Sequence, residues 1–204
     1  MSSGHIVFSE LLGVMKNKYA YAASKEICAE MQYLFSDQSI MSYTEKTKDK
    51  YQTLPQLLLS EQMKRDDFEK YQRGYLDWLI ERSAITSSED GFLSLNKSRA
   101  LILNDLYNNE VICPRYYDKD LYTQIELLVD AGDLCYGNTL FSKPEQEYLN
   151  YVLNKKEFSN GLDLRNRYSH DTCSQDEATQ HQDYLELLKI MVLIIIKINE
   201  EFIS

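Results

Sequence analysis

Residues 177–202, EATQHQDYLELLKIMVLIIIKINEEF, contain neither glycine nor proline and are rich in helix-forming side chains. Their apolar centre, Ile190 to Ile196 (IMVLIII), falls far short of the roughly 20 residues that a membrane-spanning helix needs. Lys189 and Lys197 bracket it. One long core helix of a helical bundle accounts for both features. Because this helix is apolar nearly all round from Ile190 to Ile196, it needs cover on more than one side. Leaving even a few of these side chains in water costs several kcal/mol at about 25 cal/mol per Å². The N-terminal region, a second copy of the chain, or both supply that cover.

Upstream, the helical pattern continues back to Asp118. Leu121, Ile125, Leu128 and Val129 form a short amphipathic helix closed near Gly132. Pro144 fits the first turn of a second helix, with Glu145 and Glu147 at its dipole-favoured end. A third spans about Asn160 to Tyr168, and residues 177–202 are the fourth. Four helices with short connections predict an antiparallel four-helix bundle over 118–204.

The first part, 1–117, reads as a separate helical region. Residues 6–35 carry apolar groups at helical spacing and predict one or two helices. Ser36 to Thr53 is a polar loop with Pro55 closing it, and 56–83 is helical again. The period then changes. Ser83 to Leu95 reads as a hairpin turning at Glu89-Asp90-Gly91. Asn96 caps the next helix, and Val111-Ile112-Cys113 is a short strand stopped by Pro114. This order over about 62–117 resembles a winged-helix-like module, either a DNA reader or a docking domain. The fold class is therefore mainly α.

Composition narrows the function. The 204 residues hold 22 Lys+Arg against 32 Asp+Glu, a formal net charge of −10. A polyanion needs basic compensation, so broad nucleic-acid binding is disfavoured. The helix after Asn96, which would do the reading, offers only Lys97 and Arg99, which argues against DNA. Cys28, Cys113, Cys135 and Cys173 form no CxxC pair, and three histidines complete no zinc template. No metal or other cofactor is expected. The N-terminus lacks the pattern of a signal peptide, and separated thiols suit a cytoplasmic protein. The sixteen tyrosines read mainly as packing with a wet edge, Tyr116-Tyr117 beside Arg115 being the pair best placed to stack on a base.

The segment richest in chemistry is Gly161-Leu162-Asp163-Leu164-Arg165-Asn166-Arg167-Tyr168-Ser169-His170. On a helix, Asn166 and His170 share a face, Asp163 lies close to it, and Arg165 can swing its long fork round. Leu164 and Tyr168 would face the core. A purely structural reading is open as well: Asp163 and Arg167 as an i,i+4 ion pair, and His170 complementing a helix dipole. Between Lys143 and His170 there are five basic residues against four acidic ones, so this region is less acidic than the rest of 118–204.

Arg165-Asn166-x-x-x-His170 resembles the R-x(4–6)-H signature of the HEPN superfamily, in which a polar residue, often Asn, follows the Arg. The late position of the motif in a helical bundle and the GLDL lead-in agree with it. The resemblance covers about residues 118–204. It implies a HEPN-like four-helix bundle and metal-independent endoribonuclease chemistry, in which the RNA 2′-OH attacks its own phosphodiester and leaves a cyclic phosphate and a 5′-OH. His170 would be the general acid or base. Arg165 would stabilise charge on the phosphoryl oxygens, and Asn166 would orient His170 or the phosphate. Arg167, Lys155 and Lys156 are the neighbouring cations expected to bind the RNA. The family commonly dimerises with two motifs across one cleft, which points to a homodimer. Such domains commonly serve in bacterial toxin or antiviral defence systems, with an antitoxin or other regulatory protein as partner. Some members are silenced by modification of a Tyr two residues beyond the motif His; Thr172 stands there in this chain. The alternative is a noncatalytic HEPN-like module that dimerises or binds a larger effector.

Overall fold

The computed structural model describes residues 7–154, 158–169 and 174–202, which fold as a mainly helical protein with two small sheets. In chain order the elements are β1 (Tyr19–Ala22), α1 (Lys25–Phe35), α2 (Leu54–Ser60), α3 (Arg73–Glu81), β2 (Ile85–Ser87), β3 (Leu93–Leu95), α4 (Lys97–Asn109), α5 (Lys119–Asp130), β4 (Leu134–Gly137), α6 (Lys143–Leu153), α7 (Leu164–Ser169) and α8 (Glu177–Phe202). Strand β1 pairs with β4, and β2 with β3. No helix among the described residues is long and apolar enough to cross a membrane.

The chain forms two compact units, Ala20–Tyr136 on one side and Met1–Tyr19 with Gly137–Ser204 on the other. A division at 117/118 does not describe these units. Helix α5 packs on α4, and its Ile125 and Leu128 enter the same apolar core as Ile27, Leu57, Leu79 and Leu103. The bundle expected over 118–204 thus has three of its helices, α6, α7 and α8, in one unit, while α5 belongs to the other.

Within Ala20–Tyr136 the hairpin has the expected register, Ile85 opposite Leu95 and Ser87 opposite Leu93. Gly91 supplies the left-handed conformation that its turn requires, with φ 79°. The Asn96 side chain caps α4 by accepting from the Arg99 amide. Three local expectations differ. Residues 19–22 (YAYA) are a strand rather than helix, with Ala20 and Ile112 exchanging backbone hydrogen bonds of 2.8 and 3.1 Å. That pairing partner is some ninety residues away, so a local window cannot see it. The helical stretch 56–83 is divided between α2 and α3 because Met63-Lys64 is extended. Leu93 donates to the Met63 carbonyl and Lys64 bridges Phe92, lengthening the hairpin sheet. Pro55 closes the polar loop as expected, standing in the first turn of α2 behind the Thr53 cap. Val111–Cys113 contributes a single bridge at Ile112 rather than a strand.

The other unit is built on α6 and α8. A capping box between Ser142 and Glu145 starts α6. Phe8, Phe141, Leu149, Val152, Leu164 and Ile190 form its core, with Phe8 and Phe141 meeting edge to face at 6.1 Å. At the end of α8, Glu201 is buried against Lys18 and accepts from the Val14 and Met15 amides. A Cβ on Gly13 would come within 2.9 Å of that carboxylate, which explains a glycine there. One turn earlier on α8, Lys197 pairs with Glu145 at 2.7 Å.

Candidate functional site

Helix α7 is short, and its placement begins with the turn before it. Gly161 donates to the Phe158 carbonyl at 3.0 Å, and Leu162 donates to Tyr151 O on the last turn of α6 at 2.9 Å. A Cβ on Gly161 would lie 2.8 Å from Tyr151 O and 3.1 Å from Phe158 O, so only glycine lets the backbone approach this closely. Leu164, 1% exposed, anchors α7 in the core beside Val152 and Ile190.

The polar residues of α7 divide into two groups. Asp163, immediately before the helix, has φ 53°, a conformation that Asp tolerates better than most residues but at a cost. Its Oδ1 accepts from Asn166 Nδ2 at 2.7 Å, which fixes the orientation of the Asn amide. Arg165, half-buried, stands next to Asn166. On the other side, Arg167 makes a forked contact with Asp183 of α8, at 2.7 and 3.4 Å. Tyr168 OH donates to the same carboxylate at 3.1 Å. Asp183 is 6% exposed. Buried carboxylates are expensive unless paired, and these two donors from α7 compensate this one.

Of the residues singled out in the sequence, the structure therefore brings Asp163 and Asn166 together, with Arg165 half-buried and adjacent to Asn166 in the chain. Arg167 reaches Asp183 rather than Asp163, and Tyr168 stays largely exposed, with its hydroxyl rather than its ring serving α8. His170, Lys155, Lys156 and Thr172 lie outside the described residues. Sequence reasoning missed Asp183, which sits sixteen positions beyond Arg167. Its only signal was an acid within the apolar periodicity of α8.

The DNA-reading alternative loses its second cation. Arg99 is 7% exposed and binds Glu30 through two hydrogen bonds of 2.5 and 2.8 Å. Arg82 joins Glu30 at 2.6 Å and Asp133 at 2.7 Å, and Ser24 donates to Asp133 at 2.8 Å. Burial pushes the Asp133 carboxyl up, but the Arg82 and Ser24 hydrogen bonds and the charges of Arg82 and Arg99 outweigh it and hold it below its ordinary range. Two guanidinium groups and two carboxylates cancel in charge. The network ties α1, α3, α4 and the turn after α5 together and leaves Lys97 as the α4 cation free of it. Of the tyrosine pair, Tyr117 donates to Asp105 at 2.6 Å, while Tyr116 is 67% exposed with Arg115 stacked 4.6 Å from its ring centre.

No group of three or more His, Cys, Asp or Glu side chains among the described residues is arranged to hold a metal ion. Compared with known proteins, the sequence matches no family model, no curated protein and no solved structure.

Proposed function

We propose that the protein is a HEPN-type endoribonuclease that cuts RNA without a metal ion. The observation that carries this reading is the polar edge of α7, where Asp163 in a left-handed conformation orients Asn166 next to Arg165. Backbone strain of this kind gathers at functional sites, where surrounding structure maintains it. Core packing does not require a held Asn beside an Arg, whereas phosphodiester chemistry uses both.

In this reading α6, α7 and α8 belong to a HEPN-like bundle, and residues 62–117 are a winged-helix-like docking region. Arg165 neutralises the phosphoryl oxygens through its bidentate fork. Asn166, preset by Asp163, positions His170 or the phosphate. His170 takes the 2′-OH proton or protonates the leaving 5′ oxygen. The attack forms the bond from 2′ oxygen to phosphorus and breaks the bond from phosphorus to the 5′ oxygen, leaving a cyclic phosphate and a 5′-OH. Lys155 and Lys156 hold the RNA backbone. Arg167 serves the site by fastening α7 to α8 through Asp183.

The site is composite between two copies. Tyr184, Leu188, Met191, Ile195, Ile198 and Phe202 are all more than 40% exposed, and they recur on α8 at alternating spacings of four and three. That is the seam spacing of paired helices. The cellular setting that fits is a cytoplasmic toxin or antiviral defence system with a regulatory protein partner. The noncatalytic alternative draws on the acidity of 118–204, which has 8 basic and 16 acidic residues.

Incubating the purified protein with single-stranded and hairpin RNA in excess EDTA tests the reading. Fragments ending in 2′,3′-cyclic phosphate and 5′-OH are expected. A requirement for a divalent ion, or fragments ending in 5′-phosphate, contradicts the mechanism.

A further inference from the structure

Outside α7, the most distinctive surface lies within Ala20–Tyr136. Between α1 and α3 runs an open cleft lined by Ala29, Tyr33, Tyr71, Gly74, Tyr75 and Trp78. Three of its four rings form a connected cluster: Tyr33 and Tyr75 stand 4.9 Å apart, and Trp78 meets Tyr33 edge to face at 5.9 Å. Tyr71 and Tyr75 are nevertheless 59% and 41% exposed. Single exposed aromatics are ordinary, but a contiguous exposed set marks an interaction site.

Gly74 sharpens the point. It is the second residue of α3. Its φ is not positive, and a Cβ there would meet nothing within 4 Å. Neither backbone conformation nor packing calls for glycine. The missing side chain opens the floor of the cleft between Tyr71, one turn before, and Trp78, one turn after.

The polar atoms on this lining are three phenol hydroxyls and one indole N–H, with no side-chain carboxylate, amide or amine. A lining of flat rings with donors at their edges complements a ligand that offers ring faces and acceptors. Polyproline has that chemistry. Each proline has a carbonyl but no N–H, and the polyproline II helix leaves those carbonyls without internal partners. Such helices dock in aromatic grooves with little conformational entropy to lose. Charge adds a further requirement. Residues 20–136 carry 13 basic against 20 acidic side chains. Beside Tyr71, the Tyr43 hydroxyl is pushed up first by the charge of Glu45, then by burial, with Asp49 and Glu69 adding to it. This field attracts a basic ligand and repels a polyanion.

We propose that the cleft between α1 and α3 binds a proline-rich segment of a partner protein, flanked by basic residues and held in the polyproline II conformation. The proposal is independent of the chemistry assigned to α7. Trp78 is the single tryptophan of the chain, so its emission reports occupancy directly. The intact protein is titrated with a synthetic peptide of roughly eight prolines between arginines, with the same peptide carrying alanine for proline, and with oligouridylate. The proline peptide is expected to give a saturable emission change. Tyr71→Ala and Gly74→Leu are each expected to weaken it about tenfold or more while circular dichroism and the thermal midpoint hold. No saturable change at millimolar peptide, an equal response to the alanine peptide, or tighter binding of oligouridylate overturns the proposal. Full affinity in a folded Gly74→Leu variant does so too.

Discussion

The Arg167 guanidinium and the Asp183 carboxylate meet at 2.7 Å, joining α7 to α8. Asp183 is nearly buried, and α7 is only six residues long, too short to hold together alone. This contact and the insertion of Leu164 are therefore what orient the edge carrying Arg165 and Asn166.

Removing Arg167 leaves a buried charge with Tyr168 as its remaining side-chain donor. Arg167→Ala is expected to lower stability by roughly 1–3 kcal/mol, since the guanidinium is partly solvated. Asp183→Ala made in the same chain should recover part of the loss. Urea denaturation of the two single variants and the double variant reads the coupling; purely additive losses contradict the pairing.

Gly161→Ala puts a methyl group against Tyr151 O and Phe158 O. The backbone must yield, at about 1–3 kcal/mol. Hydrogen exchange at the Leu162 amide, which donates to Tyr151 O, should accelerate more than exchange in α4. Unchanged protection at Leu162 contradicts the close approach.

Acid should act through the buried charges. The Asp133 carboxyl titrates below its unfolded value near 3.9, so the unfolded chain takes up the proton first as pH falls. Its contribution to stability is complete above that value and is lost as pH drops through the lower native pKa. Asp133→Asn should therefore show a shallower rise of stability from strongly acidic pH to about pH 5. Parallel curves for the variant and the parent contradict this.

Much of this architecture is written locally. Periodicity and turn residues place α8 at 177–202, α6 around Pro144, and the hairpin at Ile85–Leu95. What local patterns miss is pairing across distance. The YAYA strand depends on Ile112 and the 134–137 strand. Arg99 depends on Glu30, sixty-nine positions away, so the sequence shows a helix-surface cation where the fold has a buried one. The same holds at the candidate site. The i,i+3 contact of Asp163 with Asn166 was readable from spacing, whereas the Asp183 partner of Arg167 stands sixteen positions away on another helix.

The exposed seam of α8 predicts self-association. Light scattering at micromolar concentration should give about twice the 23.9 kDa chain mass. Ile195→Glu, which puts a charge on the middle of the seam, should give the single-chain mass and remove RNA cleavage. A monomeric parent protein that still cleaves RNA contradicts the composite site.

The most direct test of the central claim is RNA cleavage in EDTA by the parent protein and by His170→Ala, with circular dichroism and thermal midpoint matched between the two. The account predicts cleavage by the parent and at least about a hundredfold loss in the variant. Equal cleavage by both proteins, or none by either under any condition, contradicts it.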